Sequence, residues 1–200
     1  MYLLLGTIIS GHFNEATGAG IASLLNKQSL ILKVSFPRYV VILSAILLPA
    51  INFLINLSIY FFVSIVFFQK LPGIFSILYF IFAYFMFFTL MVGFSLYTSI
   101  WNVRLRDIGS IWDLVLQLMF WVTPIVYDIN VIKQKSSIIG NAIDKFNPVS
   151  VFLTVTRNAF IDNEITRPVL LLSWWGVALA VAISGYFYFK KNVKKIAEDF

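Results

Sequence analysis

Apolar residues along this chain fall into long blocks that short polar and charged segments separate. Five blocks reach the length of about 20 residues that crosses the ~30 Å hydrocarbon core of a bilayer. They cover residues 2–25, 39–69, 74–101, 108–127 and 168–189. The pattern predicts an all-α fold, a polytopic transmembrane helical bundle that forms a single domain over residues 1–200.

The composition agrees with this pattern. Hydrophobic residues make up 60% and charged residues 12% of the chain, and the mean hydropathy is +0.89, whereas about a quarter of the residues in soluble proteins are charged. The sequence has no cysteine and one histidine, His12, which excludes disulfide frameworks and Cys/His metal sites, and no cofactor is predicted. The net charge of +6 is attributed to basic residues in cytoplasmic loops rather than to nucleic-acid binding.

A compact group of charges, Arg104, Arg106 and Asp107, separates the third apolar block from the fourth. It predicts a tight turn at a membrane face, where one helix leaves the bilayer and the next enters it. Asp113 lies about two helical turns beyond Arg106. We expect it to form an interfacial ion pair with Arg104 or Arg106, or to contact a neighbouring helix, rather than to carry protons.

The first block carries polar residues, His12, Asn14 and Glu15, where a spanning helix would have its middle. Two interpretations stay open, a polar cluster that lines a cavity and a helix end near the lipid headgroups. Small residues four apart, Ala16 with Gly20 and Gly18 with Ala22, would allow close helix packing. In the second block, Pro49 predicts a kink whose freed carbonyl needs a partner on a neighbouring helix.

Between the first two blocks, residues 26–38 predict a short amphipathic helix on the membrane surface, stopped before Pro37. Its apolar set is Leu30, Ile31, Leu32 and Val34. The third block holds nine aromatic residues between Phe75 and Phe94, which indicate either a track for sugar or lipid or ordinary packing against lipid. They are Phe75, Tyr79, Phe80, Phe82, Tyr84, Phe85, Phe87, Phe88 and Phe94.

The longest polar section, residues 128–167, contains five basic and four acidic residues. Asn147-Pro148 predicts a helix start, and Asp162-Asn163 a helix stop. About 13 helical residues give ~20 Å, too short for a span, so this helix lies on the outer surface or dips into the membrane and returns. In the last block, Gly176, Ala180 and Ser184 predict a packing stripe.

The distribution of basic residues sets the orientation. With residues 26–38, the Arg104–Asp107 turn and the C-terminal lysines on one face, that face carries 9 basic residues, and the other carries 6, including Lys70. The positive-inside rule then places the C-terminus in the cytoplasm and the long loop outside. Five spans would put Met1, already apolar, on the outer side, which suggests a missing beginning.

Two stretches carry a family resemblance, RLRDIGSIWDLVLQLMFWVTPIVYD at residues 104–128 and NPVSVFLTVTRNAF at residues 147–160. They resemble the membrane subunits of ABC-2 type polysaccharide exporters, the permeases for O-antigen, capsule and teichoic-acid chains. The similarity runs over nearly the whole chain and includes KVSFPR at residues 33–38. The pattern comprises an Arg-Asp pair before a span, an aromatic-x-x-Pro-Ile-x-Tyr ending, and Asn-Pro followed by Arg in the outer loop. Here it falls on Arg106, Asp107, Trp121, Pro124, Ile125, Tyr127, Asn147, Pro148 and Arg157. Six-span relatives match only from their second span onward.

The resemblance implies a homodimer of permeases in the cytoplasmic membrane. Each copy would sit on a separate ATP-binding subunit, since no Gly-x-x-x-x-Gly-Lys-Ser/Thr loop occurs in the sequence, and would export a lipid-linked polysaccharide. Coupling to the ATPase would use Asn26, Lys27, Gln28, Ser29 and Lys33. An exit gate would use Pro124, Tyr127, Asn147, Pro148, Phe152 and Arg157, and the cytoplasmic turn Arg104, Arg106, Asp107 and Asp113. The candidate pathway aromatics are Phe13, Tyr84, Phe88 and Trp121.

Alternative functions remain at this stage. An ABC-2 drug or lipid exporter would share the fold and differ in its substrate. A membrane-embedded envelope glycan enzyme is less consistent with the sparse acidic residues, which include no Asp-x-Asp pair. A membrane scaffold without transport activity would be excluded if deletion abolished polysaccharide export.

Overall fold

A computed structural model describes residues 1–33, 36–69 and 71–199, without the side chains of residues 32, 68 and 194–199. Within these ranges the chain is helical and contains no strand, which confirms the predicted fold class. Two residues used above, Val34 and Lys70, lie outside the described ranges. The helices are α1 (Tyr2–Asn26), α2 (Gln28–Lys33), α3 (Tyr39–Phe68), α4 (Ile74–Arg104), α5 (Ile108–Val122), α6 (Ile129–Lys135), α7 (Ser137–Phe146), α8 (Pro148–Arg157), a π-helical turn (Asn158–Asp162) and α9 (Pro168–Asp199).

Three of the described helices are long and apolar enough to cross a membrane, namely α3, α4 and α9. Among the two other predicted spans, α1 has sufficient length, with 25 residues, but is more polar. The fourth predicted span is shorter than expected, because α5 has 15 residues and ends at Val122. At Thr123 the backbone adopts an extended conformation (ψ 135°). Thr123-Pro124 therefore ends α5, whereas the predicted span continues to residue 127.

Helix α1 forms the centre of the bundle and packs on α3 and α4. Its C-terminal part lies beside the α4–α5 turn, where Asn102 donates a hydrogen bond to the Ile21 carbonyl (3.2 Å). Its N-terminus lies beside the long loop, where Arg157 donates to the Tyr2 carbonyl (3.0 Å). These contacts define two ends of the bundle, a tail end at the Asn102 turn, where α9 finishes, and a loop end at residues 123–167.

Close backbone approach between α4 and α9 depends on Gly93. A Cβ atom at Gly93 would lie 2.7 Å from the backbone nitrogen of Ala182 and 2.8 Å from its Cα. Helix α9 therefore packs through the face that carries Ala182 and Gly185. The predicted packing stripe, Gly176, Ala180 and Ser184, is exposed in this chain, so it does not form the α4 contact and stays a prediction.

One of the two small-residue pairs in α1 mediates helix packing. Ala16 is fully buried, and a Cβ at Gly20 would come within 2.1 Å of Ser95 Oγ on α4. Gly18 is different, since a Cβ there would meet nothing within 4 Å. The Ala16/Gly20 pair thus allows α1 to approach α4 closely, whereas the Gly18/Ala22 pair does not serve this contact.

The long loop folds into three short helices, of which α8 is the most deeply buried. Asn147 caps α8 as predicted, its Oδ1 accepting from the backbone nitrogens of Val149 (3.0 Å) and Ser150 (3.3 Å). The helix ends through a π-turn at Asn163, whose φ is +57°. Except for Thr154, the residues from Val149 to Arg157 are buried, and α8 packs on α1 and α4. A helix lying on the outer surface is therefore excluded in favour of one inserted into the bundle.

Candidate transport pathway and gate

A strip of exposed polar side chains crosses the middle of α1 and α3. Glu15 lies midway along α1, and Asn52 lies midway along α3; the Asn52 amide donates to the Glu15 carboxylate (3.4 Å). Asn56 is exposed one turn further along α3. Glu15 lies far from either end of α1, so the helix-end interpretation is wrong. Charged groups at this depth are expected to face protein or a water-filled cavity, which makes this strip a candidate pathway wall.

His12 lies behind this strip and joins three helices. Its Nδ1 is 3.2 Å from the Pro49 carbonyl, and its Nε2 is 3.4 Å from the Tyr84 hydroxyl. A neutral imidazole with its proton on Nδ1 satisfies both contacts, donating to the carbonyl and accepting from the hydroxyl. This bond goes to the carbonyl of Pro49 itself. The kink prediction concerned a different carbonyl, the one a turn earlier in α3 that the proline leaves without a backbone partner.

Most inward-facing aromatics of α4 form a continuous stack in the core. Tyr84 stacks on Phe53 with ring centroids 5.2 Å apart, and Phe87 stacks on Phe152 at 4.5 Å. Phe85 and Phe75, by contrast, are exposed. Core packing on the inside and an apolar surface on the outside both fit the packing interpretation, and a track for sugar or lipid stays a prediction.

The structure does not bring the four candidate pathway aromatics together. Phe13 is buried against Phe87 (5.5 Å), while Tyr84 and Phe88 contact each other (6.2 Å) on α4. Trp121 is 70% exposed at the end of α5 and packs edge-on against Phe120. Their role in sugar binding stays a prediction, and the polar strip is nearest to Tyr84 through its contact with His12.

At the loop end, Arg157 forms hydrogen bonds with the non-helical backbone that follows α5. Its Nη1 donates to the Pro124 carbonyl (2.6 Å), and its Nη2 donates to the carbonyls of Ile125 (2.9 Å) and Tyr2 (3.0 Å). The guanidinium also lies over the Tyr2 ring, 3.4 Å from the centroid, in cation–π geometry. Arg157 is 3% exposed. One side chain thus fastens the α5 end, the N-terminus of α1 and the inserted helix α8 together.

The other predicted gate residues surround the same break. Asn147 Nδ2 donates to Thr123 Oγ1 (3.0 Å), so the residue that caps α8 also binds the residue that ends α5. Tyr127 donates to the Val122 carbonyl (2.5 Å), which is one of the carbonyls left free at a helix end. Phe152 packs on Phe87 below. Pro124, Tyr127, Asn147 and Arg157 therefore lie in one cluster, and its role as an exit gate stays a prediction.

The turn at the tail end is stabilised by Asn102, which the sequence did not indicate as a functional residue. Asn102 is buried, and its Oδ1 accepts from the Gly109 nitrogen (3.2 Å) while its Nδ2 donates to Ile21. Arg104 donates to Asn192 of α9 (3.1 Å). Arg106, Asp107 and Asp113 are exposed around this turn. A single asparagine in an apolar helix end was the only sequence signal for Asn102.

The predicted coupling residues project from the tail end. Asn26, Lys27, Ser29 and Lys33 are exposed, and Gln28 is half-buried. In the predicted apolar set, Ile31 is buried but Leu30 is 45% exposed, and the side chain of Leu32 is not described. The short helix α2 (Gln28–Lys33) therefore has one residue anchored in the bundle and a polar surface open to a partner.

An ion triad lies in the long loop outside the spanning helices. Asp144, which is 3% exposed, receives Lys133 Nζ (2.6 Å) and Arg167 Nη1 (2.6 Å). Burial by itself raises the pKa of Asp144, but the hydrogen bonds and positive charges of Arg167 and Lys133 outweigh it and hold that pKa below its usual value. The triad joins α6 and α7 to the start of α9.

We expect the Asp144→Asn variant to lose the acid sensitivity of the loop. Because the folded-state pKa of Asp144 is depressed, its contribution to stability is complete above the ordinary carboxyl pKa and is lost as pH falls through the folded value. Protease protection of the loop in wild-type protein should therefore decrease below about pH 4. The variant should be less protected at pH 7 and show a flatter acid profile. An unchanged profile would exclude the triad as its cause.

Over the described ranges, these elements define a helical membrane protein with a polar strip midway along α1 and α3 and a clustered loop-end junction. No protein-family model matches the chain. It is 25% identical over 178 residues to the O-antigen export system permease protein RfbA of Myxococcus xanthus. The aligned region covers 88% of this chain and 66% of that relative, so the chain spans slightly less than two thirds of the relative's length. The similarity agrees with the resemblance to ABC-2 polysaccharide exporters found in the sequence.

Proposed function

We propose that this chain is the membrane-spanning permease subunit of an ABC transporter that exports a lipid-linked polysaccharide across the cytoplasmic membrane. Residues 1–200 form its permease domain. The tail end, with α2 and the C-terminus, faces the cytoplasm, and residues 128–167 face outward. The observation that carries the proposal is the exposed Glu15–Asn52 pair halfway along α1 and α3. Such polar surface suits a hydrated path for a sugar chain and is costly against lipid.

The proposed mechanism uses two permease copies on separate ATP-binding subunits. Exposed side chains of the coupling segment, residues 26–38, would dock on the ATPase, Lys27 and Ser29 among them. Motion of this segment reaches the pathway directly, because it follows the C-terminus of α1, which carries Glu15 and whose N-terminus contacts Arg157. A shift of α1 would therefore act on the loop-end gate through the Tyr2 carbonyl bond. Aromatic faces near the strip, such as Tyr84, would stack on sugar rings.

A single introduced cysteine tests the coupling assignment, since the sequence has none of its own. We expect Ser29→Cys to crosslink to an ATP-binding subunit in native membranes, with a yield that changes when ATP is added. Ser137→Cys, exposed in the loop-end helix α7, is the matched control. It should not crosslink to that subunit and should react with an impermeant thiol reagent from outside the cell.

The opposite labelling pattern would contradict the proposal. If Ser29→Cys reacts from outside and Ser137→Cys only from inside, the orientation is inverted and α2 is not the coupling helix. If Ser29→Cys is labelled from inside but no ATP-binding subunit is captured, the chain has the proposed topology without the proposed energy source.

A further inference from the structure

Two adjoining cavities lie between the start of α3 and α9 at the tail end, and α4 contributes to the lining of the second one. The first, of about 290 Å³, includes Arg38, Tyr39 and Lys190 in its lining. The second, of about 390 Å³, continues along α4 past Val92 and Leu96. Tyr39 and Tyr186 line both cavities, so the two volumes form one groove that runs from the membrane surface into the apolar zone.

The chemistry of the groove changes along its length. At the tail end, its lining contains two cations and, among the described residues, no carboxylate. Arg38 donates one hydrogen bond to the Val193 carbonyl, which fixes its guanidinium at the mouth, and Lys190 is exposed beside it. Further in, Ile42, Leu43, Val92 and Leu96 present only hydrocarbon. A positive mouth and an apolar interior match the two parts of an anionic lipid.

The helices themselves leave room for such a molecule. Both α3 and α9 pack on α4, but they meet each other at the tail end through the edge contact of Tyr39 with Tyr186 (6.2 Å) and the bond from Arg38. Tyrosines at this level are typical of membrane interfaces. The groove is also separate from the polar strip, since Glu15 and Asn52 lie on the surface shared by α1 and α3.

We propose that this groove binds an anionic phospholipid of the surrounding membrane, with its phosphate between Arg38 and Lys190 and one acyl chain along Val92 and Leu96. The lipid is a fixed component rather than the exported cargo. It fills the space between α3 and α9 and ties the end of α9 to the start of α3, directly after the coupling segment.

The test is native mass spectrometry of the purified full chain, with phosphatidylglycerol and phosphatidylethanolamine of identical acyl chains as probes. Wild-type protein should retain phosphatidylglycerol in preference to phosphatidylethanolamine. Lys190→Gln, which leaves the Arg38–Val193 bond intact, should weaken phosphatidylglycerol retention about fivefold, and Arg38→Gln/Lys190→Gln about thirtyfold, since each basic residue near an anionic surface contributes a similar factor. Phosphatidylethanolamine retention should hardly change.

Two further variants separate charge from shape. Arg106→Gln/Lys191→Gln removes the same charge from exposed positions at the tail end and should leave phosphatidylglycerol retention within a factor of about three. Leu43→Trp keeps both cations but fills the apolar part, and should weaken retention of the lipid. The proposal is overturned if wild-type protein retains both lipids equally, if Arg38→Gln/Lys190→Gln and wild type retain phosphatidylglycerol equally, or if Leu43→Trp has no effect.

Discussion

Replacing Arg157 with methionine is expected to abolish polysaccharide export and to lower the free energy of unfolding by about 3–5 kcal/mol. Methionine has a similar length but no donors, so the carbonyls of Tyr2, Pro124 and Ile125 would lose the bonds that Arg157 supplies. Each buried carbonyl without a partner costs about 1–3 kcal/mol. The junction of α1, α5 and α8 would then separate.

The measurement is thermal unfolding in detergent together with the amount of polysaccharide at the cell surface. Lys135→Met, an exposed cation in the same loop, is the control and should change neither. Arg157→Lys should give an intermediate loss, because an ammonium cannot reproduce the planar fork that reaches separate carbonyls. If Arg157→Met exports and unfolds like the wild type, Arg157 does not hold the gate.

The second large effect is expected at Gly93. Gly93→Ala should destabilise the protein by about 1–3 kcal/mol, because its new Cβ would lie 2.7 Å and 2.8 Å from backbone atoms of Ala182. Backbone cannot move aside as a side-chain tip can, so α9 would have to shift away from α4. The loss should appear as a lower midpoint in thermal unfolding in detergent.

Gly176→Ala is the matched control for Gly93→Ala. A Cβ at Gly176 meets nothing within 4 Å, and alanine is favoured over glycine inside a helix by about 0.5–1 kcal/mol. This variant should therefore be as stable as wild type or slightly more stable. Equal losses in both variants would mean that the α4–α9 contact is not the cause.

The sequence was sufficient for features that depend on local chemistry. Apolar block lengths predicted α3, α4 and α9, and the Asn147-Pro148 pair predicted the start of α8. Pro124, Asn147 and Arg157, which the structure brings together, were predicted as gate residues through the family resemblance. Their hydrogen bonds explain why those residue types are needed at those positions.

The sequence did not predict features that depend on how the helices pack against one another. The small residues Gly93 and Gly176 are equivalent in sequence pattern, yet only Gly93 faces another backbone. Asn102 stands out only as a polar residue in an apolar helix end, and its two partners, Ile21 and Gly109, could not be predicted because they come from different helices. Glu15 left two interpretations open until the extent of α1 showed that it lies at mid-helix. The contribution of Arg106, Asp107 and Asp113 to the turn remains a prediction.

The most direct test of the proposed function follows the polysaccharide in cells from which the gene has been deleted. We expect the surface glycan to disappear and its lipid-linked form to accumulate on the cytoplasmic side, and we expect this chain together with its ATP-binding subunit to restore export. The Arg157→Met variant, expressed with the same ATP-binding subunit, should fail to restore export. Unchanged surface polysaccharide in the deletion strain would contradict the account.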